Sequence, residues 1–156
     1  MSEPTPEVNL EIVISKPNKP NKPKPQVNHD IELVYNGQHY PIMRDALSNT
    51  MKYLINPNDK TFDLKLPQQI KNPDNAISHM VVFMKFQHMK GEPKYPLSVE
   101  YLIYINTIWP FYSDIFWLAI FYDIFSLQKL IMDFSKIYNQ YPIHYDHRSR
   151  TYVGLV

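Results

Sequence analysis

The segment from Leu118 to Leu130, LAIFYDIFSLQKL, limits the possible folds of this chain more than any other. Apolar residues at helical spacing enter it and leave it, and Tyr122-Asp123-Ile124 stands between them as a corner. A domain holding this segment must pack two apolar-faced helices around a tight turn. No catalytic motif competes with it, so the chain is expected to act by contact.

Aromatic side chains crowd around the same place. Trp109, Phe111, Tyr112, Phe116, Trp117, Phe121, Tyr122 and Phe125 lie within 17 residues. One helix pair does not easily turn all of them inward. An aromatic-rich core takes some, and Trp and Tyr are enriched at interface hot spots. Trp109, Trp117, Phe121 or Phe125 is therefore expected to form part of a protein-binding face.

Upstream, Ile31 to Tyr35 and Gln38 to Ile42 flank Asn36-Gly37, the strongest short hairpin signal. Arg44 to Ile55 has helical apolar spacing through Ala46, Leu47, Met51, Leu54 and Ile55, and Asn56-Pro57-Asn58-Asp59 stops it. Phe62, Leu64 and Leu66 alternate with Asp63 and Lys65, so a third strand is expected. Asn72-Pro73-Asp74 opens a long helix, with Asn72 as cap. Ile77, Met80, Val81 and Met84 mark one apolar face of it, and Val82, Phe83 and Phe86 another. A helix apolar on two sides is central, or it shares one side with a partner; Phe83 and Phe86 are candidate contacts on that ground. Three helices are expected to follow, capped by Ser98, Ser113 and Ser126, the last carrying Leu127, Leu130, Ile131, Phe134, Ile137 and Tyr138 on one stripe. The final TYVGLV reads as a short terminal strand.

The first 29 residues differ. Val8, Leu10, Ile12 and Ile14 alternate like a strand, and residues 15–26, SKPNKPNKPKPQ, form a Lys-Pro linker that favours extended backbone. A lone strand needs an edge to pair with: its own sheet, another copy or a partner. Chance alternation in a tail weighs about equally. The expected organisation is an extended arm over 1–29, a domain over 30–140 and a tail over 141–156.

Composition excludes several chemistries. There is no cysteine, which removes disulfides, thiolate metal sites and cysteine nucleophiles and fits a cytoplasmic or nuclear protein. Net charge is +1, so no basic nucleic-acid surface is expected. The start is polar and Pro-rich, unlike a secretory signal. The apolar region from Tyr101 to Phe134 is broken by Asn106, Pro110, Ser113, Asp114 and Asp123, so buried helices and no membrane contact are expected. With three glycines no phosphate-cradling loop is available. His144, Asp146 and His147 read as a solvated polar tail, since a structural metal site usually needs four placed ligands. His79 and His88 lie too far apart on their helix to be neighbours. Asp114 and Asp123 read as a helix-start charge and a corner residue. No nucleophile, base and orienting group come together, so neither catalysis nor a cofactor or metal is expected.

The order hairpin, helix, strand, long helix, loop and helical cluster resembles the BTB/POZ fold, and within it the Skp and elongin C adaptors. The resemblance covers about 30–138. Ser48, Thr50 and Leu54 look like the family's Ser-x-Thr-x-x-x-Leu helix. Phe62 to Lys90 resembles its third strand and long helix, and Glu92 to Leu97 its acidic-proline-aliphatic loop. Leu118 to Ile124 is similar to its Ala-Ala-Asn-aromatic-Leu-Asp corner. The resemblance implies an α+β fold with a small three-stranded sheet and a helical cluster, preceded by the Pro/Lys-rich arm. It also implies a non-enzymatic adaptor that bridges a cullin-like scaffold to an F-box or BC-box receptor in a ubiquitin ligase. The family's Asn-aromatic pair touches the cullin. Phe121 keeps the aromatic, and Ile120 stands where the family carries Asn. Seventeen residues follow Asn139, Pro142 among them, so the helices with which Skp proteins grip an F-box are expected to be absent or remodelled. The alternative is a BTB-type scaffold that self-associates or docks in a larger assembly through Val8, Leu10, Ile12 and Ile14, with no role in ubiquitin transfer.

Overall fold

A computed structural model describes residues 29–138 and 144–153. The strand pattern Val8 to Ile14 and the Lys-Pro linker lie outside the described residues. The fold is α+β, a small three-stranded sheet beside a helical cluster.

The sheet has the order β2-β1-β3. Strands β1 (Ile31–Tyr35) and β2 (Gln38–Ile42) pair antiparallel, with Ile31 opposite Ile42 and Tyr35 opposite Gln38. Asn36 and Gly37 take φ of 50° and 81°, the two left-handed positions such a two-residue turn requires. Strand β3 (Thr61–Asp63) lies parallel to β1. It is shorter than the alternation through Leu66 predicts, because the chain leaves the sheet after Asp63 and Leu64 turns into the core. Pro41 stands mid-way along the edge strand β2, where a missing N–H costs the sheet nothing.

The expected helix over Arg44 to Ile55 is split. Arg44–Ala46 forms a 3-10 turn, and helix α1 (Asn49–Leu54) starts afresh behind Ser48, whose hydroxyl accepts from the Met51 amide at 3.3 Å. Arg44 holds the turn to the loop beyond α1 through the Asn56 and Asp59 carbonyls.

Helix α2 (Pro73–Lys90) runs through the centre and ends at Gly91, whose φ of 91° suits glycine. Asn72 occupies the cap position, yet its side chain makes no cap bond. Asp114 instead holds the segment that leads into the helix: its carboxylate accepts from the Lys71 amide at 3.0 Å and the Asn72 amide at 2.8 Å. Helix α3 (Val99–Ile108), capped by Ser98 as predicted, covers the second apolar side of α2. The Tyr101 ring packs 4.8 Å from Phe86 and 6.0 Å from Phe83, and Tyr104 packs 5.6 Å from Phe83.

A 3-10 turn, Trp109–Phe111, leads directly into helix α4 (Tyr112–Phe121), followed by α5 (Phe125–Tyr138). Ser113 and Ser126 therefore sit inside first turns and are not caps; Ser126 bonds the Gln87 side chain. Among the described residues no helix is long and apolar enough to cross a membrane.

Residues 144–153 form a hairpin, where a solvated polar stretch and one terminal strand are expected. Strands β4 (His144–Asp146) and β5 (Thr151–Val153) form a second, two-stranded sheet. Asp146 organises its turn by accepting from the Arg148 amide and the Ser149 hydroxyl, bonds that hold its carboxyl below the usual range. The Tyr152 ring meets Phe116 of α4 edge-on at 5.2 Å, and its hydroxyl reaches Gln128 of α5 at 3.3 Å.

Candidate protein-interaction surface

The corner between α4 and α5 is built from hydrogen bonds that reach across the domain. Asp123 takes φ of 56°, left-handed backbone that aspartate tolerates better than most residues. That conformation lets the Ile124 amide bond the Ala119 carbonyl at 2.9 Å and the Asp123 amide bond Ile120 at 3.3 Å, the pairing that closes a helix C-terminus. Aspartate stands here where glycine is usual. Its carboxylate compensates by accepting from the Thr50 hydroxyl at 2.6 Å.

Neighbouring residues tie the corner further. Ser48 donates to the Tyr122 carbonyl at 2.8 Å while capping α1. The Tyr122 hydroxyl accepts from the Lys65 amide at 2.9 Å and donates to the Lys65 carbonyl at 2.8 Å. Burial pushes the Tyr122 phenol up, and the Lys65 amide partly opposes that. The α1 start, the segment after β3 and the corner thus form one bonded unit.

Apolar side chains are displayed on this unit. Phe121 is 45% exposed, its ring held edge-on to Tyr122 at 4.9 Å, and Phe125 is 69% exposed. Tyr53 and Leu54 follow Thr50 by three and four residues, on the same side of α1, and are 89% and 52% exposed. Helical spacing groups Leu54 with the apolar positions of this segment and does not single out Tyr53. Ser48 as a helix cap was the available signal, because it sets which face of α1 carries Thr50.

The other expected contact residues divide. Ile120 is half-buried against the core. Trp109 is half-buried and stacked at 4.5 Å on Tyr112, with Phe134 edge-on at 5.3 Å, and Trp117 is half-buried. Phe83 and Phe86 are core residues: α3 covers them, and the two-sided character of α2 is spent within the chain. Val82, their neighbour, is exposed instead.

A second exposed apolar face lies on α3, where Val99, Leu102 and Ile103 share one side. Asn106 and Thr107 continue it, with side chains donating back to the Leu102 and Ile103 carbonyls.

Among the described residues no group of three or more His, Asp or Glu side chains is placed to hold a metal ion. Asp114 is committed to the Lys71 and Asn72 amides just ahead of α2, and Asp123 to Thr50. No family model and no curated protein matches this chain.

Proposed function

We propose that this chain is a non-enzymatic adaptor of BTB/POZ type, similar to Skp and elongin C, that joins a cullin-like scaffold to an F-box or BC-box receptor in a ubiquitin ligase. The observation that carries this reading is the bonded corner. Ser48 and Thr50, from the first block of the resemblance, meet Tyr122 and Asp123, from the last, through two hydrogen bonds. Phe121 and Phe125 stand exposed on the frame so made. Rigid aromatic side chains on a fixed backbone lose little entropy on binding, which favours them as anchors. The element order and the parallel pairing of β3 with β1 support the same reading. Ile120 makes the corner less polar than the Asn of the family, so the scaffold it fits presents an apolar side chain there.

A second reading is a scaffold that self-associates or docks in a larger assembly, without a ubiquitin role. The exposed face of Val99, Leu102 and Ile103 favours it.

The test is capture of partners on the tagged full-length chain from its native cell lysate, identified by mass spectrometry, beside a Phe121→Asp, Phe125→Asp variant. Recovery of a cullin or an F-box or BC-box protein by the wild type, lost in the variant, is expected. Recovery of untagged copies of the chain alone, unaffected by the variant, favours the scaffold.

A further inference from the structure

The β4–β5 hairpin sits on the helical cluster like a ligand in a seat. Its strands are three residues each, and a two-stranded hairpin of that size is marginal by itself. Among the described residues, Tyr152 supplies a ring contact and a hydrogen bond that seat it. The floor is Phe116 of α4, fully buried, which offers its ring to an incoming aromatic edge-to-face. The wall is Gln128 of α5, also buried. Its amide nitrogen donates to the Ala119 carbonyl at 2.9 Å, which fixes the side chain and turns Oε1 toward the Tyr152 hydroxyl. A buried glutamine oriented by one backbone bond, with its acceptor aimed at a phenol, selects an aromatic side chain that carries a donor.

We infer that this seat is an exchangeable protein-docking site, filled in cis by Tyr152, that takes a tyrosine-bearing extended segment of a partner when the hairpin lifts. The resident side chain defines the ligand: a phenol ring edge-on to Phe116 with its hydroxyl on Gln128. The seat lies on α4 and α5 and does not depend on the corner reading; it stands or falls with Tyr152, Phe116 and Gln128. Because the hairpin belongs to the same chain, its effective concentration at the seat is of about millimolar order, so a partner segment must outcompete that, or the hairpin must be drawn off by other contacts.

The test uses the full chain and a fluorescent peptide of residues 144–153, followed by anisotropy up to about 1 mM, the range that effective concentration sets. Tyr152→Ala empties the seat, and it is expected to bind the peptide saturably and at least tenfold more tightly than the wild type, whose seat is filled. A peptide with alanine in place of its Tyr152 is expected not to bind, and Gln128→Leu added to Tyr152→Ala is expected to weaken binding severalfold. Absence of saturable binding by folded Tyr152→Ala, or equal binding by wild type and variant, overturns the proposal. Hydrogen exchange on the wild-type chain checks it without a variant: the 151–153 amides should exchange well before those of α2. Exchange of both sets together, only on global unfolding, overturns it as well. A wild-type dimer that dissociates on Tyr152→Ala would mean a second copy fills the seat, and would overturn the cis arrangement.

Discussion

Thr50 and Asp123, 73 residues apart in the chain, share a 2.6 Å hydrogen bond at the one place where α4 turns into α5. The bond serves a residue in left-handed backbone, so it stabilises a conformation that the residue by itself disfavours. Asp123→Ala keeps the backbone requirement and removes the compensation. It is expected to cost about 1–3 kcal/mol, while Asp123→Asn retains most of the stability. Urea denaturation of these variants and of Thr50→Val measures it, and the double variant should show coupling of about 0.5–3 kcal/mol.

Tyr122→Phe removes both bonds to Lys65 and leaves the ring in place. A loss of about 1–2 kcal/mol is expected. The Lys65 amide should exchange with solvent faster while the amides of β1 stay protected; unchanged protection at Lys65 would count against the clamp.

Asp114→Ala takes away the carboxylate that accepts from the Lys71 and Asn72 amides just ahead of α2. The expected cost is about 1–3 kcal/mol, more than a surface carboxylate would show. Asp114→Asn should retain part of it. Thermal melts followed by circular dichroism distinguish the two.

His79 is half-buried, stacked at 6.2 Å on Phe111 and edge-on at 6.5 Å to Tyr104. Burial lowers its imidazole from the usual 6.5. The unfolded chain therefore takes up this proton first as pH falls. The contribution is fully present above 6.5 and is lost as pH drops below 6.5 toward the folded value. His79→Gln should flatten the stability profile of the chain over that window, and a wild-type slope that survives the substitution would assign it to another group.

Phe125→Asp should leave the domain folded, with a change within about 0.5 kcal/mol, because the side chain is largely in solvent. Phe83→Ala should cost about 3–5 kcal/mol. The contrast separates a displayed candidate contact from a core residue by stability alone, before any partner is in hand.

The parts of the fold governed by neighbouring residues were legible. Asn36-Gly37 specified the hairpin, and Ser98 the start of α3, because each acts within a few residues of itself. Parts decided by distant groups were not. Asn72 has the residue type of a cap but makes no cap bond, and Asp114, 42 residues away, holds the segment ahead of the helix. Phe83 and Phe86 looked available because helical spacing shows that a face is apolar but not which element covers it. The β4 strand has no apolar alternation; its pairing comes from a turn organised by Asp146 and by Arg150 at φ of 57°. At the corner, spacing located Asp123 and Phe121, but their link to Ser48 and Thr50 is a property of the folded chain.

That link also sets when the surface can exist. Phe121 lies in the second half of the domain, yet the bonds that fix its backbone neighbours come from Ser48, Thr50 and Lys65 in the first. During synthesis the first half emerges with its half of the clamp empty, and the aromatic rim takes shape only after the end of α4 has met Ser48, Thr50 and Lys65. A nascent chain that lacks α4 displays no finished corner. The same bonds that hold the domain together thus delay the display of its exposed aromatic side chains until folding is complete.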